Sequence, residues 1–181
     1  IKEIKHLGRE AVFFNINAAD AIKRAETLDE IKERFGAGHD VIKVLIHSLA
    51  FGTLRPYLGK KPEDAMTQAQ MEMTVDVMAH SLVYWVQGLI HRGLMKRGGR
   101  IFGMTSSGGH SVLPAYGAVS AAKSALESHI RQLSMELGPF GITANAVMAG
   151  VTDTPALRKI PGAAEMLRVA KAKNPTNRLT T

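Results

Sequence analysis

The chain has 181 residues, 45% hydrophobic and 22% charged, a composition typical of one globular domain. It has no cysteine, which excludes disulfides, zinc–thiolate sites, iron–sulfur clusters and cysteine nucleophiles and agrees with a cytoplasmic location. The net charge of +7 is compatible with solubility alone, with an anionic cofactor or with an acidic protein partner. Nucleic acid is not predicted, because the basic residues are dispersed with few aromatic neighbours. No membrane span is predicted, because no stretch of about 18 residues lacks charge.

Apolar and helical patterns alternate along the first part of the chain. Residues 10–16 form a short run rich in apolar and aromatic side chains and are predicted to be a buried strand. Thr27 and Glu30 have capping-box spacing, which predicts that a short helix begins there and ends at Gly36. Residues 41–48 are predicted to form the second strand.

The same alternation continues to the end of the chain. Pro62 suits the first turn of a helix predicted over about 63–96, with breaks. A third strand is predicted at 99–106 and a fourth at 142–148. Between them the clearest helix runs over 116–137, where apolar residues recur at three- and four-residue steps and predict one buried apolar stripe: Ala122, Leu126, Ile130, Leu133 and Leu137. Strands that alternate with helices predict an α/β fold with a mostly parallel sheet. Ligands of such sheets bind beyond the carboxyl ends of the strands.

One pair of side chains near the third strand suggests chemistry. Tyr116 and Lys123 are seven residues apart, so on a regular helix they lie about two turns, or roughly 10 Å, from each other and on nearly one face. An ammonium near a phenol favours the phenolate, and such a phenol can donate a proton or hydrogen bond to developing negative charge. A packing tyrosine and an exposed lysine would give the same spacing. The small residues around the lysine favour close approach of a flat cofactor or of another helix.

The segment from Met104 to Thr154 resembles the short-chain dehydrogenase/reductase superfamily. The resemblance rests on a strand ending in SS, a glycine-containing loop, the tyrosine and lysine on one helix, and the runs ELGPFGITANAV and AGVTDT. HSLAFG after the 41–48 strand is similar to the dinucleotide loop of that superfamily. The resemblance covers essentially the whole chain. It implies a Rossmann-like doubly wound parallel sheet with helices on both faces.

The spacing of the tyrosine and lysine separates subfamilies. Ordinary members place the tyrosine four residues before the lysine, where this chain has Val119. A separation of seven residues is typical of enoyl-acyl-carrier-protein reductases. HSLAFG and residues 153–179 also resemble the corresponding segments of those enzymes, and the latter is most similar to the NADPH-using bacterial variety. The resemblance therefore implies NAD(P)H-dependent reduction of the 2,3 double bond of trans-2-enoyl thioesters in fatty-acid synthesis.

The resemblance also implies roles for particular residues. Tyr116 would stabilise the enolate oxygen, and Lys123 would hold the nicotinamide ribose. Gly52 and Ser106 would contact the substrate. NADPH or NADH would be held by Asn15 and Ile16 at the adenine, by Ser48, Leu49 and Ala50 at the adenine ribose, and by Val151, Thr152 and Thr154 at the nicotinamide and pyrophosphate.

Other features leave alternatives open. Ser106 stands where many enoyl reductases have a second tyrosine, and with Ser107 it resembles the serine of carbonyl-reducing members. A carbonyl reductase or alcohol dehydrogenase of the same superfamily is therefore the second hypothesis, and a non-catalytic relative is the third. No histidines have metal-ligand spacing, so no metal is predicted.

The resemblance also bears on domain organisation and partners. Family members begin with a strand and a glycine-rich loop that are not recognised here, and they end with a further strand. Residues 1–181 are therefore predicted to be a single Rossmann-type reductase domain, incomplete at both ends. The helices at 63–96 and 116–137 are predicted to build a homotetramer. A cluster of basic residues lies next to the loop that the resemblance places over the substrate: Arg158, Lys159, Arg168, Lys171 and Lys173. This cluster fits either an acidic acyl carrier protein that docks there or a solvated helix face.

Overall fold

Three parallel strands form a sheet in the computed structural model, which describes residues 2–36, 42–155, 157–160 and 162–180. The strands are β1 (Val44–His47), β2 (Arg100–Met104) and β3 (Thr143–Val147), in that order across the sheet. Val44 lies opposite Arg100, and Arg100 lies opposite Thr143. The second, third and fourth predicted strands are thereby confirmed within shorter bounds, although residue 41 lies outside the described residues. The predicted α/β fold with a parallel sheet is confirmed.

Helices connect and follow these strands. Those described are α1 (Lys2–His6), α2 (Ala21–Phe35), α3 (Gln68–Val75), α4 (Ser81–His91), α5 (Gly117–Leu137) and α6 (Ala163–Lys173). In the described parts of the chain, no helix combines the length and the apolar character needed to cross a membrane.

The predicted strand at 10–16 is wrong. These residues belong to no strand, and Phe13 is 70% exposed. An extended segment becomes a strand only where a neighbour completes its backbone hydrogen bonds, and none of the three described strands pairs with this one. The turn that follows is held instead by α4, because the Trp85 indole nitrogen donates to the Ala18 carbonyl at 3.0 Å.

The predicted start of the next helix is also wrong. Asp20, not Thr27, caps α2, because its carboxylate accepts from the Lys23 backbone N–H at 2.9 Å. Thr27 lies inside the helix, where its hydroxyl donates to the Lys23 carbonyl at 2.8 Å. Gly36 ends the helix as predicted.

The long helix predicted over 63–96 is interrupted. Pro62 lies in a short 3₁₀ turn, and α3 begins only after Thr67, which forms a capping box with Gln70. A π-helical turn, Asp76–His80, separates α3 from α4 and buries three of its five residues. The predicted breaks are therefore confirmed: they occur at the capping box and the π turn, and α4 ends at His91 just before Gly93, whose φ of +67° is left-handed, so the helix does not reach residue 96.

The core lies between the helices and the sheet. The predicted apolar stripe of α5 is buried and packs with α4 and with Ile101 of β2. A second, smaller cluster contains Met78 of the π turn with Tyr116, Val119 and Ala122. Full burial of one such leucine or methionine contributes about 1.5–3 kcal/mol. The first cluster holds α5 on the sheet, and the second lines the cavity described next.

Candidate active site

A cavity of about 370 Å³ opens at the carboxyl ends of all three strands. The last residue of β2 and the loops after β1, β2 and β3 contribute residues 104, 48–50, 105–107 and 149–152 to its lining. Lys123 of α5 and Tyr116, just before that helix, also line it. This is the edge at which parallel α/β sheets bind ligands. The fold therefore brings together residues that are far apart in the sequence.

Lys123 is a buried cation that joins two strand ends. Its side chain is 6% exposed, and Nζ donates to the carbonyls of Met104 at 2.7 Å and Leu49 at 3.2 Å. Burial lowers the pKa of the Lys123 ammonium to about 8. An ammonium has three donors, so two carbonyl contacts leave the third for a ligand hydroxyl. The lysine fixes positive charge at the sheet edge and holds two ligand-binding loops in place.

Tyr116 lies at the point where the loop after β2 enters α5. It occupies the N-cap position, one residue before the first helical turn, and is 8% exposed. A β-carbon on Gly108 would collide with the Tyr116 ring, so the glycine lets the loop backbone lie against the phenol. Tyr116 and Lys123 line the same cavity although only the lysine is within regular helix.

Both apolar and polar side chains line the cavity. Most of the apolar part packs with Met78 and Tyr116, and the polar part consists of serine and threonine side chains and the Lys123 ammonium. The apolar part comprises Leu54, Met78, Leu113, Val119, Ile160 and Met166. Such a site accepts a ligand with an apolar chain on one side and a polar, hydrogen-bonding group on the other.

Gly52 has no room for a larger side chain. A β-carbon there would lie 2.8 Å from both the Met78 sulfur and the Thr74 methyl carbon. The Thr74 hydroxyl also accepts from the Thr53 backbone N–H at 3.0 Å. The loop after β1 is therefore held closely against α3 and the π turn.

Most of the residues predicted from the sequence line this cavity. They are Ser48, Leu49, Ala50, Gly52, Ser106, Tyr116, Lys123, Val151, Thr152 and Thr154. Asn15 and Ile16 are not in the cavity lining, and they lie in the segment that forms no strand. Ser106 is further engaged locally, because its hydroxyl oxygen accepts from the Gly108 backbone N–H at 3.1 Å. The functional roles of all these residues remain predictions.

The sequence did not reveal the environment of His47. This last residue of β1 is 5% exposed, and its Nε2 lies 2.8 Å from the Ser81 hydroxyl. Ser81 donates its own proton to the Val77 carbonyl, so the histidine Nε2–H must be the donor to Ser81. Burial, reinforced by the charge on Lys123, lowers the pKa of His47 to about 4. The buried environment of His47 could have been predicted from its position, because this histidine ends an apolar strand just before the predicted cofactor loop.

The parallel sheet, the cavity at its carboxyl edge and the Tyr116–Lys123 pair define a Rossmann-like site of the short-chain dehydrogenase/reductase class. The chain belongs to the enoyl-(acyl carrier protein) reductase family, whose model matches residues 1–181. This confirms the resemblance found in the sequence.

Individual relatives agree with this family. Enoyl-(acyl-carrier-protein) reductase (NADH) FabI of Synechocystis sp. is 32% identical over 154 residues, which are 83% of this chain and 55% of that protein. The corresponding NADPH protein of Staphylococcus aureus is 27% identical over 81% of this chain and 56% of its own length. The crystal structure of the NADH reductase of Aquifex aeolicus VF5 shares the fold, with a TM-score of 0.82 and 23% identity over 99% of this chain and 67% of that one. This chain thus spans little more than half the length of the two curated relatives.

Proposed function

We propose that the protein reduces the 2,3 double bond of trans-2-enoyl thioesters with NADPH or NADH, in fatty-acid synthesis. This proposal rests on one observation: Tyr116 and the buried Lys123 line the same cavity, and Tyr116 lies beside the apolar part of its wall. Val119, which stands where ordinary superfamily members have their tyrosine, is part of that apolar wall. The apolar wall suits the acyl chain, and the phenol suits the thioester oxygen.

The carboxyl edge of the sheet fits a nicotinamide nucleotide. The buried ammonium of Lys123 suits ribose hydroxyls, and the small residues Ala50, Gly52 and Gly150 are among those that line the cavity. When bound, the nicotinamide supplies a hydride. The cofactor contacts we propose are Lys123, then Asn15 and Ile16 at the adenine, Ser48, Leu49 and Ala50 at the adenine ribose, and Val151, Thr152 and Thr154 near the nicotinamide and pyrophosphate.

Tyr116 is the proposed catalytic residue. Reduction at the β-carbon leaves negative charge on the thioester oxygen, and the phenol O–H donates a hydrogen bond to that oxygen as the charge develops. The Lys123 ammonium keeps a positive field near the phenol, which favours donation. Because both groups are buried, water competes little for either one.

A second function rests on Ser106. Its hydroxyl lines the cavity together with Tyr116, so a serine and a tyrosine are both available to a carbonyl oxygen. A carbonyl reductase or alcohol dehydrogenase of the same superfamily would use them in this way. The hydrogen bond that Ser106 accepts from Gly108 still leaves its hydroxyl proton for such a contact.

The two functions differ in substrate. We expect the purified full-length protein to oxidise NADPH or NADH with a crotonyl thioester, measured by loss of the absorbance of the reduced nicotinamide. Simple ketones at equal concentration serve as the matched alternative substrate. Turnover of ketones without turnover of the thioester would establish the carbonyl reductase instead, and no hydride transfer to either would favour a non-catalytic relative.

Partners are proposed from the surface around the cavity. We infer that an acidic acyl carrier protein presents the thioester at α6, where Lys171 and Lys173 are exposed. Arg158 and Arg168 contribute less positive charge, because they pair with Asp153 and Glu165. We also propose a cytoplasmic homotetramer built on the helices within 63–96, which are α3 and α4, and on α5; light scattering of the full-length protein tests it.

A further inference from the structure

One glutamate of α5 holds the loop that follows β2. The Thr105 hydroxyl donates to one carboxylate oxygen of Glu127 at 2.6 Å, and His110 Nε2 lies 2.8 Å from the other. Thr105 and His110 are the two ends of a six-residue segment, so both oxygens of one carboxylate hold the loop at both ends. We refer to residues 105–110 as the serine loop.

The serine loop is also held near its second end by Ser124 and lies against the ring of Tyr116. The Ser124 hydroxyl donates to the Gly109 carbonyl at 2.9 Å, and Gly108 lies against the Tyr116 ring. The residue just before the loop, Met104, supplies the carbonyl that accepts from Lys123. A shift of the loop would therefore change the environment of both the phenol and the ammonium.

The Glu127 carboxylate is well suited to this task. Its side chain is 13% exposed, and burial opposes ionisation. The hydrogen bonds from Thr105 and His110, with the positive charge of Arg131, outweigh burial and hold the pKa of Glu127 below its usual value. An ionised carboxylate only accepts hydrogen bonds, so both donors can be satisfied together.

We propose that Glu127 is a positioning residue of this site, which acts through Thr105 and His110 to hold the serine loop against Tyr116. The inference rests on the proposed function for its effect on catalysis, although the restraint on the loop does not depend on which substrate is reduced. Misplacement of a reacting group by about 1 Å can lower activity by roughly 100-fold.

The first test is kinetic and uses Glu127→Gln. Glutamine keeps one oxygen for Thr105, but its amide nitrogen cannot accept from His110. We expect kcat with a crotonyl thioester to fall about tenfold, with smaller changes in KM. Glu136→Gln, an exposed position on the same helix, is the matched control and should leave kcat unchanged.

A double variant separates positioning from a general structural effect. If Glu127 acts through the phenol, Glu127→Gln should lower kcat less than twofold when Tyr116 is already phenylalanine. A loss of folded protein would instead reduce activity by the same factor in both backgrounds. Equal factors, or no effect of Glu127→Gln alone, would overturn the inference.

A second measurement needs no turnover. Hydrogen exchange of the backbone amides in residues 104–113 should become about tenfold faster in Glu127→Gln, and it should stay unchanged in Glu136→Gln. Unchanged exchange in Glu127→Gln overturns the inference whatever the protein reduces. Faster exchange in a protein that does not reduce enoyl thioesters would support the restraint on the loop and reject the proposed function.

Discussion

Two buried side chains of α5, one toward each end of the helix, have opposite chemistry. Lys123 in the first half is 6% exposed, and Leu133 in the second half is 7% exposed. The leucine packs with other apolar side chains, whereas the lysine satisfies its ammonium with two carbonyls at the sheet edge. Burial of a cation opposes folding unless hydrogen bonds offset the lost hydration. Burial alone therefore does not identify the core, because the site end of the helix keeps a buried charged group at a cost in stability.

The largest effect should come from the phenol at the site end. Tyr116→Phe removes one hydroxyl and leaves the ring packed beside Gly108, so the fold should change little. We expect kcat with a crotonyl thioester to fall about 100- to 1,000-fold, the usual effect of losing one oxyanion donor. Cofactor affinity, measured by fluorescence titration, should change much less.

Tyr84→Phe is the matched control for this substitution. Tyr84 lies on α4, and its ring faces the Arg24 guanidinium rather than the cavity. Its hydroxyl should be dispensable for turnover. Unchanged turnover in Tyr116→Phe would remove the phenol from the mechanism and direct attention to Ser106.

A smaller effect should appear in the dependence of stability on pH. His47 is neutral in the fold with a pKa of about 4, whereas an unfolded histidine has a pKa of about 6.5. Above pH 6.5 neither state binds the proton, so the residue contributes nothing. Between pH 6.5 and 4 the unfolded chain binds a proton that the fold excludes, so stability falls as pH falls.

The expected size can be measured by denaturant unfolding at several pH values. At pH 5 the linkage amounts to about 2 kcal/mol of lost unfolding free energy. His47→Gln should remove most of this loss while keeping a donor toward Ser81. His91→Gln, at an exposed position of α4, should keep the pH dependence of the parent protein. If the unfolding free energies of the parent and of His47→Gln fell equally with decreasing pH, His47 would not be the source of this pH dependence.

The sequence predicts features within one element better than contacts between elements. The apolar stripe and the Tyr116–Lys123 pair depend on helical spacing within one element, so they can be found by counting residues. The Glu127 contacts join residues 22 and 17 positions apart, and the His47–Ser81 contact joins residues 34 positions apart. These contacts arise from how β1, β2 and the helices pack, which local periodicity does not encode.

The remaining errors in the prediction have a similar cause. The 10–16 segment has the composition of a strand, but a strand exists only with a partner, and composition does not reveal the partner. Thr27 and Glu30 have the spacing of a capping box, but Asp20 offers an earlier N-cap to the same helix. In both cases the local sequence pattern is present, but the structure depends on a neighbour: a strand partner for 10–16 and the earlier N-cap at Asp20 for the helix.

The smallest expected effect lies on the rim of the cavity, outside the buried part of the site. Lys171 is exposed on α6, whereas the Arg168 guanidinium is paired with Glu165 at 2.6 and 2.7 Å. We expect Lys171→Glu to raise KM about two- to fivefold for an acyl-carrier-protein thioester at low salt, as surface charges steer association. Added salt should reduce this difference because it screens exposed charges.

A second substrate distinguishes an effect on carrier-protein docking from an effect on the cavity. A coenzyme A thioester needs no protein docking, so its KM should not change in Lys171→Glu. Lys32→Glu on α2 makes the same change in net charge on another helix and should affect neither substrate. If Lys171→Glu raised KM equally for both thioesters, α6 would act on the cavity and not on a carrier protein. Arg168→Glu should have the smaller effect of the two α6 variants, because Glu165 already offsets its charge in the parent protein.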